Sequence, residues 1–182
     1  MTHIQLLRHL GVSALAVSIA ATPALAHATL EQQEAAVGST YKAVMRIGHG
    51  CEGEATQKVT ITIPEGVIAV KPMPKANWSL EVKKGAYAQA YDYYGTKLTE
   101  GVTSISWIGN LSDAHYDEFV FRAKLSDALS ADSTIYFPTV QTCANATEDW
   151  VNIPTPGQDG HDIEGPAPAL HLTADHDHGH SH

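Results

Sequence analysis

The sequence predicts an all-β protein built as a sandwich of two antiparallel sheets. Three observations carry this. Short stretches rich in β-branched and aromatic residues recur along most of the chain, each alternates apolar with polar positions, and turn-forming residues separate them at short intervals. A period of two puts one set of side chains on one face, so each stretch is half-buried and needs a second layer to cover it.

In chain order, "STYKAVMRIGHGC" (39–51) places Tyr41, Ala43, Met45 and Ile47 on one side. "QKVTITIPEG" (57–66) repeats the pattern with Val59, Ile61 and Ile63 inward, then turns at Pro64, Glu65 and Gly66. The remaining predicted strands are "WSLEVKK" (78–84), "VTSISWIG" (102–109), "DEFVFRAKL" (117–125), "STIYFPTVQTC" (133–143) and "EDWVNIP" (148–154). Gly85, Gly95, Gly101, Gly109 with Asn110, and Asn145 supply the breaks. Pro72 and Pro74 mark 70–76 as an extended connection, because proline donates nothing to a ladder. Residues 126–130 fit one helical turn, too short to alter the class. Met73, Trp78 and Trp107 are expected in the core or at its edge, the two indoles because large aromatics dominate burial.

Beyond Pro154 the composition shifts to Pro, Gly, Asp and His without apolar periodicity. The domain is therefore expected to span 27–170, ending in an extended proline-rich segment, with a His-rich flexible tail over 171–182.

The first 26 residues fit a secretory signal. Arg8 with His3 and His9 precedes an apolar stretch over 10–21; Pro23 breaks it, and the small residues Ala24 and Ala26 set the cleavage site before His27. The stretch is short for a membrane span, although an uncleaved anchor is the competing reading. No second apolar run of spanning length follows, so the mature chain is expected to be soluble, periplasmic or secreted. Cleavage leaves 156 of the 182 residues, which suits one domain with a real core.

Charge narrows the partners. Eleven Lys and Arg against 20 Asp and Glu give a net charge of −9, and losing Arg8 with the leader takes this to −10. Such a surface argues against nucleic acid or anionic membrane as partners and is compatible with cations. The two cysteines, Cys51 and Cys143, would meet an oxidising compartment, where a pair becomes a disulfide. Thiolate metal ligation is the alternative.

Cleavage also changes the chemistry of His27. Its nitrogen becomes a free amine, and amine plus ring Nδ1 close a six-membered chelate on a metal. Two neutral nitrogens in a tetragonal field suit Cu(II), which also heads the divalent affinity order. A third donor is expected in "IGHGCEGEATQKV", where Glu52 follows Cys51 and glycines at 50 and 53 permit a tight bend. Glu54 competes for the role. Cys143 lies seven residues before Trp150, so a Cys51–Cys143 link would draw "TEDWVNIP" toward Glu52.

These residues resemble the YcnI-like family of bacterial copper-handling proteins. The resemblance rests on His27 as first mature residue, "GCEG" with "TQKVTITIPEGV", "VQTC", and "DW" followed by "PTPG" and "PAPAL", and it runs from about His27 to Leu170. It implies an immunoglobulin-like or cupredoxin-like sandwich and a Cu(II) site of the monohistidine-brace kind. It further implies that His27 supplies the amine and Nδ1, that Glu52 supplies a carboxylate, and that Trp150 lies beside the metal. Indole is a poor lone-pair donor, so that role is shielding and redox control, not ligation. The expected partners are the copper ion and other periplasmic copper carriers or a membrane copper transporter. Some relatives carry a C-terminal membrane helix; here a His-rich tail stands in its place.

Among the other histidines, His49 is close enough in chain to be a further ligand or an outer hydrogen-bond partner, or an ordinary strand-end residue. His115 fits a loop, and His161 and His171 carry no signal. In the tail, His176, His178, His180 and His182 alternate with Asp177, Gly179 and Ser181, a multidentate surface of low metal selectivity.

The sequence thus points to a non-enzymatic periplasmic Cu(II)-binding protein of copper trafficking or sensing. Two other classes compete. A histidine-brace oxidative enzyme needs a second imidazole, for which His49 and His115 are the domain candidates. An interaction sandwich would bind metal only incidentally. No nucleophile elbow, phosphate-binding glycine loop or paired-carboxylate motif stands at recognisable spacing.

Overall fold

A computed structural model of the chain describes residues 27–160 and 163–174. The leader, His161, and the tail histidines His176, His178, His180 and His182 lie outside the described residues.

Twelve strands are present among the described residues: β1 (Thr29–Leu30), β2 (Glu34–Ala36), β3 (Thr40–Ile47), β4 (Thr56–Thr62), β5 (Val67–Pro72), β6 (Ser79–Tyr93), β7 (Thr96–Leu111), β8 (Asp117–Leu125), β9 (Ser133–Tyr136), β10 (Thr139–Thr142), β11 (Thr147–Trp150) and β12 (Ala169–Thr173). They form a four-stranded sheet in the order β1-β3-β8-β5 and a five-stranded sheet in the order β11-β10-β4-β7-β6. These are the two expected layers. A third sheet, β2-β12-β9, adds a parallel pair between β12 and β2.

The alternation in β3 and β4 works as the sequence predicts. Tyr41, Ala43, Met45 and Ile47 are buried against Val59, Ile61 and Ile63 in one core. Trp107 is fully buried at its centre, with Phe119 at 5.6 Å between ring centroids. Trp78 packs on Phe119 from the core edge, at 5.0 Å. Met73 departs from expectation: its side chain is 53% exposed, while its carbonyl accepts a hydrogen bond from Trp107 Nε1 at 3.1 Å. The flanking prolines keep its backbone extended, and the backbone, not the thioether, does the packing.

Other expectations are corrected. Gly85 and Gly101 do not break strands; they face each other within the long β6–β7 hairpin, whose only turn is at Tyr94 and Gly95. Residues 70–72 belong to β5, with Pro72 at the strand end where a missing donor costs no ladder bond. The stretch 133–143 divides at Phe137 and Pro138 into β9 and β10, which join different sheets. The 148–154 strand is shorter and starts one residue earlier, as β11. β12 lies beyond the proline-rich segment, and its Leu170 and Leu172 are fully buried. His171, Leu172 and Thr173 are thus sheet residues, and the expected boundary at 171 moves past Thr173.

Candidate metal centre

The Cys51–Glu54 turn is set by backbone chemistry. Cys51 N–H donates to the Glu54 carbonyl at 3.1 Å, and Glu54 N–H returns a bond to Cys51 at 2.8 Å. The two residues between have positive φ, 50° at Glu52 and 86° at Gly53, which makes a two-residue hairpin turn of the primed kind. Glycine adopts this freely, whereas the left-handed region costs another residue about 1–2 kcal/mol. Gly50 is needed for a different reason: a Cβ there would come within 1.8 Å of the Glu54 carbonyl oxygen.

The turn holds its two carboxylates in opposite states. Both oxygens of Glu54 accept bonds from Asn145, one from the side-chain amide and one from the backbone N–H, each at 2.8 Å. The Asn145 side chain first, and then its backbone N–H, pull the Glu54 carboxyl below its ordinary pKa. Glu52 is exposed at the tip and makes no hydrogen bond or ion pair with the described residues. The competition between these two glutamates is therefore unequal: Glu54 is spent on joining the turn to the loop after β10, and Glu52 is available.

Two devices hold this turn in the body of the protein. Cys51 and Cys143 form the expected disulfide, with Cα atoms 6.0 Å apart. Gln141, 2% exposed on the inner face of β10, donates Nε2 to the His49 carbonyl at 2.6 Å and to Thr56 Oγ1 at 2.7 Å. Its Oε1 accepts from Trp150 Nε1 at 3.5 Å. One satisfied buried amide thus links the segment before Cys51, the start of β4 and the end of β11. Gly50 N–H adds a bond to Asp113 Oδ1 at 3.0 Å.

His27 stands two residues ahead of β1. That strand pairs with β3 in the register Thr29 to Arg46 and Leu30 to Met45. The chain start therefore lies toward the Ile47 end of β3. The His27 ring meets the Trp150 indole edge-on, with centroids 5.5 Å apart and planes at 84°. Trp150 is buried, and its N–H is committed to Gln141, so it offers His27 ring carbon. The two rings border a concavity of about 420 Å³ that Glu148, Asp149 and Glu164 also line.

The structure therefore brings His27 to Trp150, and it holds His49, Cys51, Glu52 and Glu54 on one clamped segment whose His49 carbonyl shares Gln141 with the Trp150 indole. It does not gather three His, Cys, Asp or Glu side chains into a metal cluster among the described residues. His49 is half-buried with Nδ1 on the Gly50 carbonyl, which makes Nδ1 the donor and leaves the lone pair of the neutral ring on Nε2. His115 caps a loop, its N–H bonded to the Ser112 carbonyl at 3.0 Å. Sequence reasoning missed Gln141, Glu148, Asp149 and Glu164. Gln141 had a legible signal, a polar residue at an inward position of "TVQT".

The sequence matches the family described as a domain of unknown function, DUF1775, over residues 27–172. The chain belongs to this family. It is the YcnI-like family, and the match begins at His27. A crystal structure of an uncharacterized protein from Nocardia farcinica, described as immunoglobulin-like, aligns with a TM-score of 0.58 at 24% identity, covering 81% of this chain and 99% of that one. At that identity the likeness concerns the fold, which is immunoglobulin-like here too. No curated protein matches the sequence. No helix among the described residues is long and apolar enough to cross a membrane.

Proposed function

We propose that this YcnI-like protein is exported, cleaved before His27, and carries Cu(II) as cargo in periplasmic copper trafficking or sensing, without enzymatic turnover. The observation that carries the proposal is the edge-on pairing of the His27 and Trp150 rings at 5.5 Å, and Glu52 adds a carboxylate that makes no bond to the described residues.

The donor set fits Cu(II) only after processing. The described side chains alone form no three-residue metal cluster, and in this reading the new α-amine supplies the further nitrogen. Amine and Nδ1 of His27 give two nitrogens, and Glu52 gives the anionic oxygen that offsets the cation's charge. Gln141 and the disulfide act on the position of the site and do not touch the metal. Trp150 covers one side with carbon. The tail imidazoles at 176, 178, 180 and 182 collect metal with low selectivity, and the folded site selects Cu(II).

The test is electron paramagnetic resonance of Cu(II) added to processed protein that lacks residues 175–182. The account expects one tetragonal site per chain with nitrogen hyperfine structure, and a changed signal in Glu52→Ala. A spectrum like aqueous copper, or one insensitive to Glu52, would overturn the assignment.

A further inference from the structure

The outer face of the four-stranded sheet carries an unneutralised row of cations. Lys42 on β3 stands directly opposite Arg122 on β8, and Arg122 stands directly opposite Lys71 on β5. Residues in register across a ladder share a face, and neighbouring strands lie about 4.8 Å apart, so three positive charges cross about 10 Å of sheet. All three are exposed. Arg122 donates to Thr40 Oγ1 at 3.3 Å, and none of the three has an ion pair among the described residues.

The rest of the face is treated differently. Arg46 pairs with Glu31 at 3.1 Å and with Glu118 at 3.4 Å. Lys75 pairs with Asp117 at 2.6 Å, and Lys124 lies 4.0 Å from Asp127. Acids outnumber bases in this chain by 20 to 11, yet no carboxylate is spent on the central row. Like charges directly opposite in a sheet are destabilising. Beside the row lie Val120 and the 53% exposed Met73, whose N–H bonds to the Val120 carbonyl at 2.8 Å.

We infer that Lys42, Arg122 and Lys71 form a docking face for an acidic protein. Charge complementarity names the occupant. A carboxylate-bearing segment laid across the three strands would supply the missing counter-charges, with Met73 as an apolar contact at its edge. A planar anionic membrane is the poorer match, because the row is narrow and offers only three cations to an extended plane. Lys42 is six residues along β3 from Gly48, about 20 Å at strand spacing. A partner of ordinary footprint, about 800 Å² per side, centred on the row reaches toward the chain start.

The experiment uses processed full-length protein and fluorescently labelled poly-L-glutamate as the probe at low ionic strength. The wild type is expected to bind with strong salt dependence. K42Q/K71Q/R122Q is expected to bind at least about tenfold more weakly, while K58Q/K83Q/K97Q, with the same charge change elsewhere, stays within about twofold. The melting temperature of the first triple variant is expected to rise by about 1–3 °C, since a like-charge row has been removed. Equal binding by the two triple variants, or no binding by the wild type, overturns the proposal. So does binding that appears only with vesicles containing phosphatidylglycerol, which would make the face a lipid contact.

Discussion

Two turns of this protein share one backbone and differ in everything attached to it. Glu52 and Gly53 have φ of 50° and 86°, and Tyr94 and Gly95 have 52° and 82°. Both are X-Gly pairs in two-residue hairpins. The first is locked by the disulfide, by the Glu54–Asn145 bonds and by Gln141 behind it. The second ends a long hairpin, held by Asp92 Oδ1 on the Gly95 N–H at 3.1 Å and by the Tyr93–Tyr94 ring contact at 4.8 Å. Its tyrosine is 77% exposed. The same local conformation thus makes a fixed pedestal in one place and a surface tip in the other. Placing a carboxylate in the left-handed region is useful only where the frame is rigid.

The largest expected difference between the turns comes from their anchors. Replacing Cys51 and Cys143 together by serine opens a link between residues 92 apart, which should lower stability by about 4–5 kcal/mol in urea unfolding. Cu(II) affinity should fall with it. Tyr94→Ala, at the other turn, should cost less than about 1 kcal/mol and leave copper binding unchanged. Equal losses at both turns would remove the distinction between pedestal and tip.

A smaller effect separates function from stability at the same φ. Glu52→Gly removes a proposed ligand and should weaken Cu(II) binding by at least about tenfold, while raising stability by about 0.5–1 kcal/mol through relief of the left-handed φ. Tyr94→Gly gains the same relief but loses its ring contacts with Tyr93 and Lys124, so its stability should stay within about 0.5 kcal/mol of the parent. Calorimetric copper titration beside thermal unfolding reads both. Glu52→Gly with undiminished copper affinity would exclude that carboxylate.

The smallest effect is a pH dependence. Because Asn145 lowers the Glu54 carboxyl's pKa in the folded state, its contribution is present above the unfolded value and is lost as pH falls through the folded one. Stability of the parent should therefore decline more steeply than that of Glu54→Gln as pH drops below about 4.5, the ordinary glutamate value. Parallel acid profiles would show that the Asn145 bonds contribute nothing to the anchor.

Much of the core was legible because alternation is a local signal. Met45, Ile61 and Trp107 announce their face through their neighbours two positions away. The cysteine pair was legible from compartment chemistry. The β6–β7 hairpin was not, since Gly85 and Gly101 read as breaks in sequence and become partners only when the strands pair. β12 was hidden behind prolines, and the pairing that makes it a strand comes from β2 and β9, more than thirty residues away in chain. In the site, His27 and Glu52 were visible as chemistry. Telling the bonded Glu54 from the unbonded Glu52 required Asn145, whose contact with Glu54 spans 91 residues.

The central claim is that the first nitrogen of the mature chain binds copper. Competitive Cu(II) titration of processed protein without residues 175–182, against the same protein with one residue added ahead of His27, tests it directly. The account predicts a loss of more than about tenfold in affinity on extension, equivalent to about 1.4 kcal/mol, together with a shifted paramagnetic resonance spectrum. Identical affinity and spectrum in the two proteins would contradict it.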